Sequence, residues 1–191
     1  MEQCSMFIQT EQTPNPATLK FLPGQTVMSR GVAEFTDPDE AERLSPLARR
    51  IFGVDGVSGV YLGNDFISVT KTDSVDWYAM KPAVLGAIME HFLSGEPVAA
   101  PEAALSVDGE AAGEDDPTIQ QIKELIDTRV RPAVARDGGD IVFHGFERGV
   151  VYLHMRGACS GCPSSVVTLK NGIENLLKYY VPDVVEVRAV S

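Results

Sequence analysis

Cysteine is scarce in this chain. Its 191 residues hold three, Cys4, Cys159 and Cys162. An odd number with a single close pair excludes the disulfide framework of a small secreted fold and fits a reducing compartment. Basic charge is also short, with 16 Lys and Arg against 27 Asp and Glu and a net charge of −11. Nucleic-acid binding calls for a basic footprint, so nucleic acid is not an expected partner. Long apolar runs are missing: no stretch approaches the ~20 residues of a membrane span, and no membrane role is expected. The first ten residues have neither a basic n-region nor an apolar h-region. Only Lys20 and Arg30 are basic in the first thirty, so no Arg-rich presequence is visible. The expected compartment is a bacterial cytoplasm, or the mitochondrial matrix if a transit peptide has been removed.

What is present is ordinary for a globular protein, with 44% apolar and 23% charged residues. The charge is unevenly spread: −5 over residues 1–95, −7 over 96–117 and +1 over 118–191. The middle stretch is rich in Ala, Glu, Asp, Pro and Gly and has no aromatic residue. It cannot bury enough apolar area to offset its ordering entropy, so it reads as a flexible acidic linker. The expectation is α+β, with two small domains at 1–95 and 118–191 joined by the linker 96–117.

The first domain reads as strands at 6–9, 17–22 and 32–35, with Thr13-Pro14-Asn15-Pro16 as a turn. Ser45 and Pro46 start a helix through Phe52. A hairpin follows at 57–62 and 66–70. Trp77, Met80, Val84, Ile88 and Phe92 then form one helical stripe ending near Gly95. The acidic run Asp37, Asp39, Glu40, Glu42 reads as a solvated loop or helix start. The product is a mixed or mostly antiparallel sheet with helices. In the second domain Asp116-Pro117 opens a helix that Pro132 should kink and Gly138-Gly139 end. A hairpin at 141–146 and 150–156, a helix through Val166, Leu169, Ile173 and Leu176, and a strand at 184–190 complete α-β-β-α-β. A β-α-β crossover makes the last strand parallel to a predecessor in a three-stranded sheet.

The most informative segment is Gly157-Ala158-Cys159-Ser160-Gly161-Cys162-Pro163-Ser164-Ser165. Two thiols two residues apart sit in a glycine-bearing loop before a proline-started helix. Free N–H groups and the positive helix end favour thiolate, the form that ligates metal or attacks. Gly157 and Gly161 permit close backbone approach to a cluster. Two thiolates cannot fill a four-thiolate site alone. Three functional readings stay open. A dithiol oxidoreductase would use Cys159 and Cys162 as a redox pair, although a hairpin rather than a βαβ unit precedes the loop. A zinc site needs further ligands, and His91, His144 and His154 remain unassigned. A cluster shared by two chains would take two thiolates from each.

The second domain resembles the C-terminal domain of the NifU-like (Nfu) iron–sulfur proteins through Arg131-Pro132, Asp137-Gly138-Gly139-Asp140, the cysteine segment, Thr168-Leu169-Lys170-Asn171-Gly172-Ile173-Glu174 and Val181-Pro182. The first resembles the Nfu N-terminal domain through Thr13-Pro14-Asn15-Pro16, Leu19-Lys20-Phe21, Ser45-Pro46-Leu47-Ala48, Gly56-Val57, Asp65-Phe66-Ile67, Val69-Thr70-Lys71 and Asp76-Trp77. The resemblance implies one [4Fe-4S] cluster per homodimer, bridged by Cys159 and Cys162 of each subunit. It implies receipt from an upstream scaffold and delivery to apo-proteins such as the enzymes of lipoate synthesis, with no catalysis of an ordinary substrate reaction. Cys4 precedes the resemblance and reads as a dispensable tail thiol. The first domain is expected to modulate partner docking or dimer packing.

Overall fold

The computed structural model describes residues 7–104, 116–160 and 163–190. The chain divides into two units, Met1–Ser106 and Val107–Ser191. Each has its own apolar core.

The first unit carries strands β1 (Gln9–Gln12), β2 (Thr18–Leu22), β3 (Ala33–Phe35), β4 (Val57–Leu62) and β5 (Ile67–Lys71) in the order β1-β2-β5-β4-β3. Every pairing is antiparallel. β1 begins later than its apolar residues suggest. The Thr13–Pro16 turn is tied by the Thr13 hydroxyl, which donates to the Thr18 carbonyl at 2.9 Å, and the pairing of Gln12 with Leu19 sets the register. Turn geometry therefore overrides side-chain propensity here. β2 buries Leu19 and Phe21, and also Lys20. The Lys20 ammonium lies 3.5 Å from the Glu11 carboxylate and 4.9 Å from the Phe66 ring centroid.

Three helices complete this unit: α1 (Pro38–Leu44), α2 (Pro46–Phe52) and α3 (Trp77–Ser94). The acidic run is the start of α1. Asp37 caps it by accepting from the Asp39 N–H at 2.9 Å, and Asp39 and Glu40 occupy its first turn, where the helix dipole favours anions. Ser45 closes α1 and opens α2. Its N–H donates to the Ala41 carbonyl, and its hydroxyl accepts from the Ala48 N–H at 3.0 Å. α3 ends at Gly95, whose φ of +72° only glycine adopts readily. Its core face is Met80, Val84, Ile88 and the buried His91. Its outward face exposes Tyr78, Met89 and Leu93.

Residues 96–104, read from the sequence as the start of the linker, fold onto the first unit. The Ala100 N–H donates to the Leu44 carbonyl at 2.7 Å, and the Val98 carbonyl accepts from the Ser45 hydroxyl at 2.6 Å. Glu96 pairs with Arg50 at 2.9 Å, and Ala103 is buried in a 3₁₀ turn, Pro101–Ala103. Composition hid this, since small residues such as Ala103 need little area once a groove exists to receive them. The acidic remainder, 105–115, lies outside the described residues.

The second unit runs α4 (Pro117–Leu125), α5 (Arg131–Arg136), β6 (Gly139–Glu147), β7 (Val150–Gly157), α6 (Pro163–Tyr180) and β8 (Glu186–Val190). A π-helical turn, Ile126–Val130, joins α4 to α5. It lies just before Pro132, which has no N–H to give to the ladder. β6 and β7 form a hairpin on Arg148 and Gly149, with φ of +50° and +82°. β8 adds parallel to β7, giving the order β6-β7-β8. Ile122, Ile126, Ile141, Leu153, Leu177 and Val187 fill the core. Among the described residues no helix is long and apolar enough to cross a membrane.

Candidate thiol site

The site grows out of the end of the β6–β7 hairpin. Gly139 pairs with Gly157 in register, and Gly157 turns the chain out of β7 at a φ of +62°. The loop is then tied to its own backbone. The Ala158 N–H donates to the Gly138 carbonyl at 3.2 Å, the Cys159 N–H to the Arg156 carbonyl at 3.4 Å, and both the N–H and hydroxyl of Ser160 to the Gly157 carbonyl at 3.1 and 2.8 Å. α6 starts at Pro163, immediately after the second cysteine.

Cys159 is buried, 6% exposed, and belongs to the core of the second unit. Its Sγ faces Gly139. A Cβ on that glycine would overlap the sulfur and press within 2.9 Å of the Arg156 carbonyl oxygen and 3.0 Å of the Cys159 nitrogen. Gly139 is therefore glycine because the thiol loop crosses it. Burial, then the carboxylates of Asp137 and Asp140, push the Cys159 thiol up to about 12. This corrects the expectation that the helix start favours thiolate at both sulfurs. At Cys159 desolvation outweighs the dipole, and the metal-free chain keeps the thiol protonated. Cys162 lies outside the described residues, as does Cys4.

One strut beside the loop is not apparent from residue pattern alone. The Arg131 guanidinium donates twice to Asp140, Nε to Oδ1 at 2.9 Å and NH2 to Oδ2 at 3.1 Å, and once to Asp127 at 3.2 Å. Asp140 is 5% exposed. This fork ties the start of α5 to the start of β6, next to Gly139. The signal in the sequence was an aspartate following two glycines at the head of an apolar strand. Of the unassigned histidines, His144 is exposed on β6, His154 half-buried on β7 and His91 buried in the first unit. Among the described residues no three of His, Cys, Asp and Glu are grouped to hold a metal ion.

Fold and loop together define a two-unit α+β protein with one thiol pair on a glycine-walled loop. Residues 8–95 match the domain family described as scaffold protein Nfu/NifU N terminal, and residues 122–188 match the NifU-like domain. The chain belongs to the Nfu family. It is similar to the NFU1 iron-sulfur cluster scaffold homologs, mitochondrial, of Drosophila virilis and Drosophila persimilis. The first is 51% identical over 97% of this chain and 62% of the relative, the second 50% identical over 97% and 66%. The chain thus spans about two thirds of the length of these relatives, or slightly less. A NifU-like protein from Saccharomyces cerevisiae solved by NMR is 31% identical, covers 53% of this chain and 90% of its own, and superposes with a TM-score of 0.45.

Proposed function

We propose that the protein is an iron–sulfur cluster carrier. Cys159 and Cys162 of two copies hold one [4Fe-4S] cluster between them, take it from an upstream scaffold and yield it to apo-proteins such as the enzymes of lipoate synthesis. The observation that carries this reading is the donor set: one pair of thiols two residues apart per chain, on the loop between β7 and α6. Thiolates suit iron–sulfur clusters, and four are needed. Each chain brings half the sphere. A cluster strung across two chains is readily surrendered to a recipient that offers all its own cysteines. The scaffold names of the relatives support the same function, and their mitochondrial names favour the matrix over a bacterial cytoplasm.

The chain's own residues set the conditions of loading. Burial and the Asp137 and Asp140 carboxylates favour the neutral Cys159 thiol, so ligation must release its proton. The Arg131–Asp140 fork braces the strand beside the loop. The cargo is carried, not turned over, so this is a non-catalytic role. The first unit serves partner docking or dimer packing, a reading supported by the apolar outward face of α3.

Reconstitution of the full chain with iron and sulfide under anaerobic conditions tests the proposal. The protein is expected to become brown and dimeric, with Mössbauer spectra of a [4Fe-4S] cluster. Cys159→Ser and Cys162→Ser should each abolish colour and dimer. A monomer holding the whole cluster without an external thiol would overturn the reading. Steady turnover of a disulfide substrate by metal-free protein would favour the oxidoreductase instead.

A further inference from the structure

We propose that the outer face of α6 is the surface through which two copies meet when they share the cluster. The inference rests on the carrier reading and adds to it the contact that brings the half-sites together.

The core face of α6 is Ile173 and Leu177, flanked by Val166, Leu169 and Leu176. The side turned away from it runs Val167, Thr168, Asn171, Gly172, Asn175 and Tyr179, all exposed. Val167 is 55% and Tyr179 79% exposed. The outward side of a surface helix ordinarily carries charge. This one carries none until Lys178, whose ammonium is already bonded to Glu174, 2.6 Å away. The charged residues Lys170 and Glu174 stand on the flank, engaged with Glu186 of β8 and with the Val187 N–H respectively.

Gly172 is the second observation. It stands at an interior position of an 18-residue helix, where glycine is more costly than any residue but proline. A Cβ built there would meet nothing within 4 Å. Among the described residues nothing requires the missing side chain. A neighbouring backbone at close range would.

Three considerations point to a second copy as the occupant. A two-fold contact sets a patch against itself, so any charge near the axis faces its own kind. A face whose one charge, Lys178, is already paired with Glu174 of its own helix suits such a contact on a chain of net charge −11. The face is also continuous with the proposed shared site, because α6 begins at the residue after Cys162 and the exposed Val167 comes five residues on. From Val167 to Tyr179 the stripe spans about 18 Å. One helix face of that length buries less than a stable dimer needs, so the contact holds only when the cluster bonds add to it. Dimerisation is thereby tied to loading.

Charge exchange on the full-length protein tests the contact. Asn171→Glu and Asn171→Lys are each reconstituted with iron and sulfide, and the dissociation constant of the loaded dimer is measured by analytical ultracentrifugation. Each variant alone is expected to weaken the dimer by about tenfold or more, and an equimolar mixture to recover to within about threefold of wild type. Recovery on mixing excludes a folding defect as the cause. Gly172→Ala should act with opposite signs, raising the melting temperature of the metal-free chain by about 4 °C while weakening the loaded dimer. If both charged variants dimerise like wild type, the α6 contact is wrong and the carrier reading stands. If they dimerise normally but transfer the cluster more slowly to an apo-recipient, the face belongs to the recipient and the inference is again wrong. If wild type loads no cluster, the carrier reading itself fails.

Discussion

The two units of this chain use buried polar groups for different ends. In the first, Ser45 is fully buried and joins two helices and the 96–104 segment through its backbone N–H and its hydroxyl. These bonds close the unit upon itself. In the second, the buried carboxylate of Asp140 and the Arg131 fork stand beside a thiol loop, and a glycine is kept bare so that the sulfur can lie over it. The first arrangement is structural. The second shelters a thiol beside a buried ion pair. A perturbed group beside a fixed charge pair is what a functional site looks like when read from electrostatics.

Four measurements would break or sharpen this contrast. The largest effect is expected from Asp140→Ala. It leaves the Arg131 guanidinium partly buried without its bidentate partner and should cost the second unit about 3 kcal/mol in chemical denaturation. The first unit's transition should not move, because its core is separate. Equal losses in both would dissolve the comparison. Gly139→Ala comes next, at about 2 kcal/mol, since backbone as well as sulfur must shift to admit the methyl. Displacing the sulfur should also speed alkylation of Cys159 in metal-free protein, and unchanged alkylation would mean the glycine does not shelter the thiol.

Ser45→Ala tests the first unit. Loss of the α2 cap together with the bond to Val98 should lower its stability by about 2 kcal/mol while leaving iron uptake at the wild-type level. The smallest effect concerns His91. Its ring is fully buried, neither nitrogen has a hydrogen-bond partner, and burial, helped by the Arg50 cation against the opposing pull of Glu96, holds its pKa below the ordinary histidine value. Below about pH 6.5 the unfolded chain takes up a proton that the folded unit resists. Stability is therefore present above that pH and is lost as pH falls, by no more than about 1.4 kcal/mol per pH unit. His91→Leu should flatten this slope in urea titrations at pH 5 and 7. An identical slope in the variant would assign the acid sensitivity to carboxylates.

α3 and α6 mark how far sequence pattern reaches. Both helices were legible from steps of three and four between apolar residues, and the start of α6 was marked by Pro163. α1 was legible only as one of two readings of its acidic run, because its seven residues show one buried side chain, Ala41, too few for a period. The outward apolar residues of α3 could not be told from core residues by composition alone. The hairpins were legible at their glycines, and the parallel return of β8 followed from connection handedness. The candidate site was legible as a motif, since CxxC before a proline-started helix has few uses. Its electrostatic state was not. A helix start near a thiol suggested an anion, and only packing against Gly139, Asp137 and Asp140 reveals that Cys159 is held as a neutral thiol.

By itself the chain of residues determined the two-domain α+β plan and the presence of one closely spaced thiol pair per copy, because periodicity, capping and cysteine spacing are local properties. The burial of Cys159, the fork that braces its strand and the docking of residues 96–104 on the first unit were decided only in three dimensions. Each depends on which groups from distant parts of the chain exclude water from one another, and no local pattern encodes that exclusion.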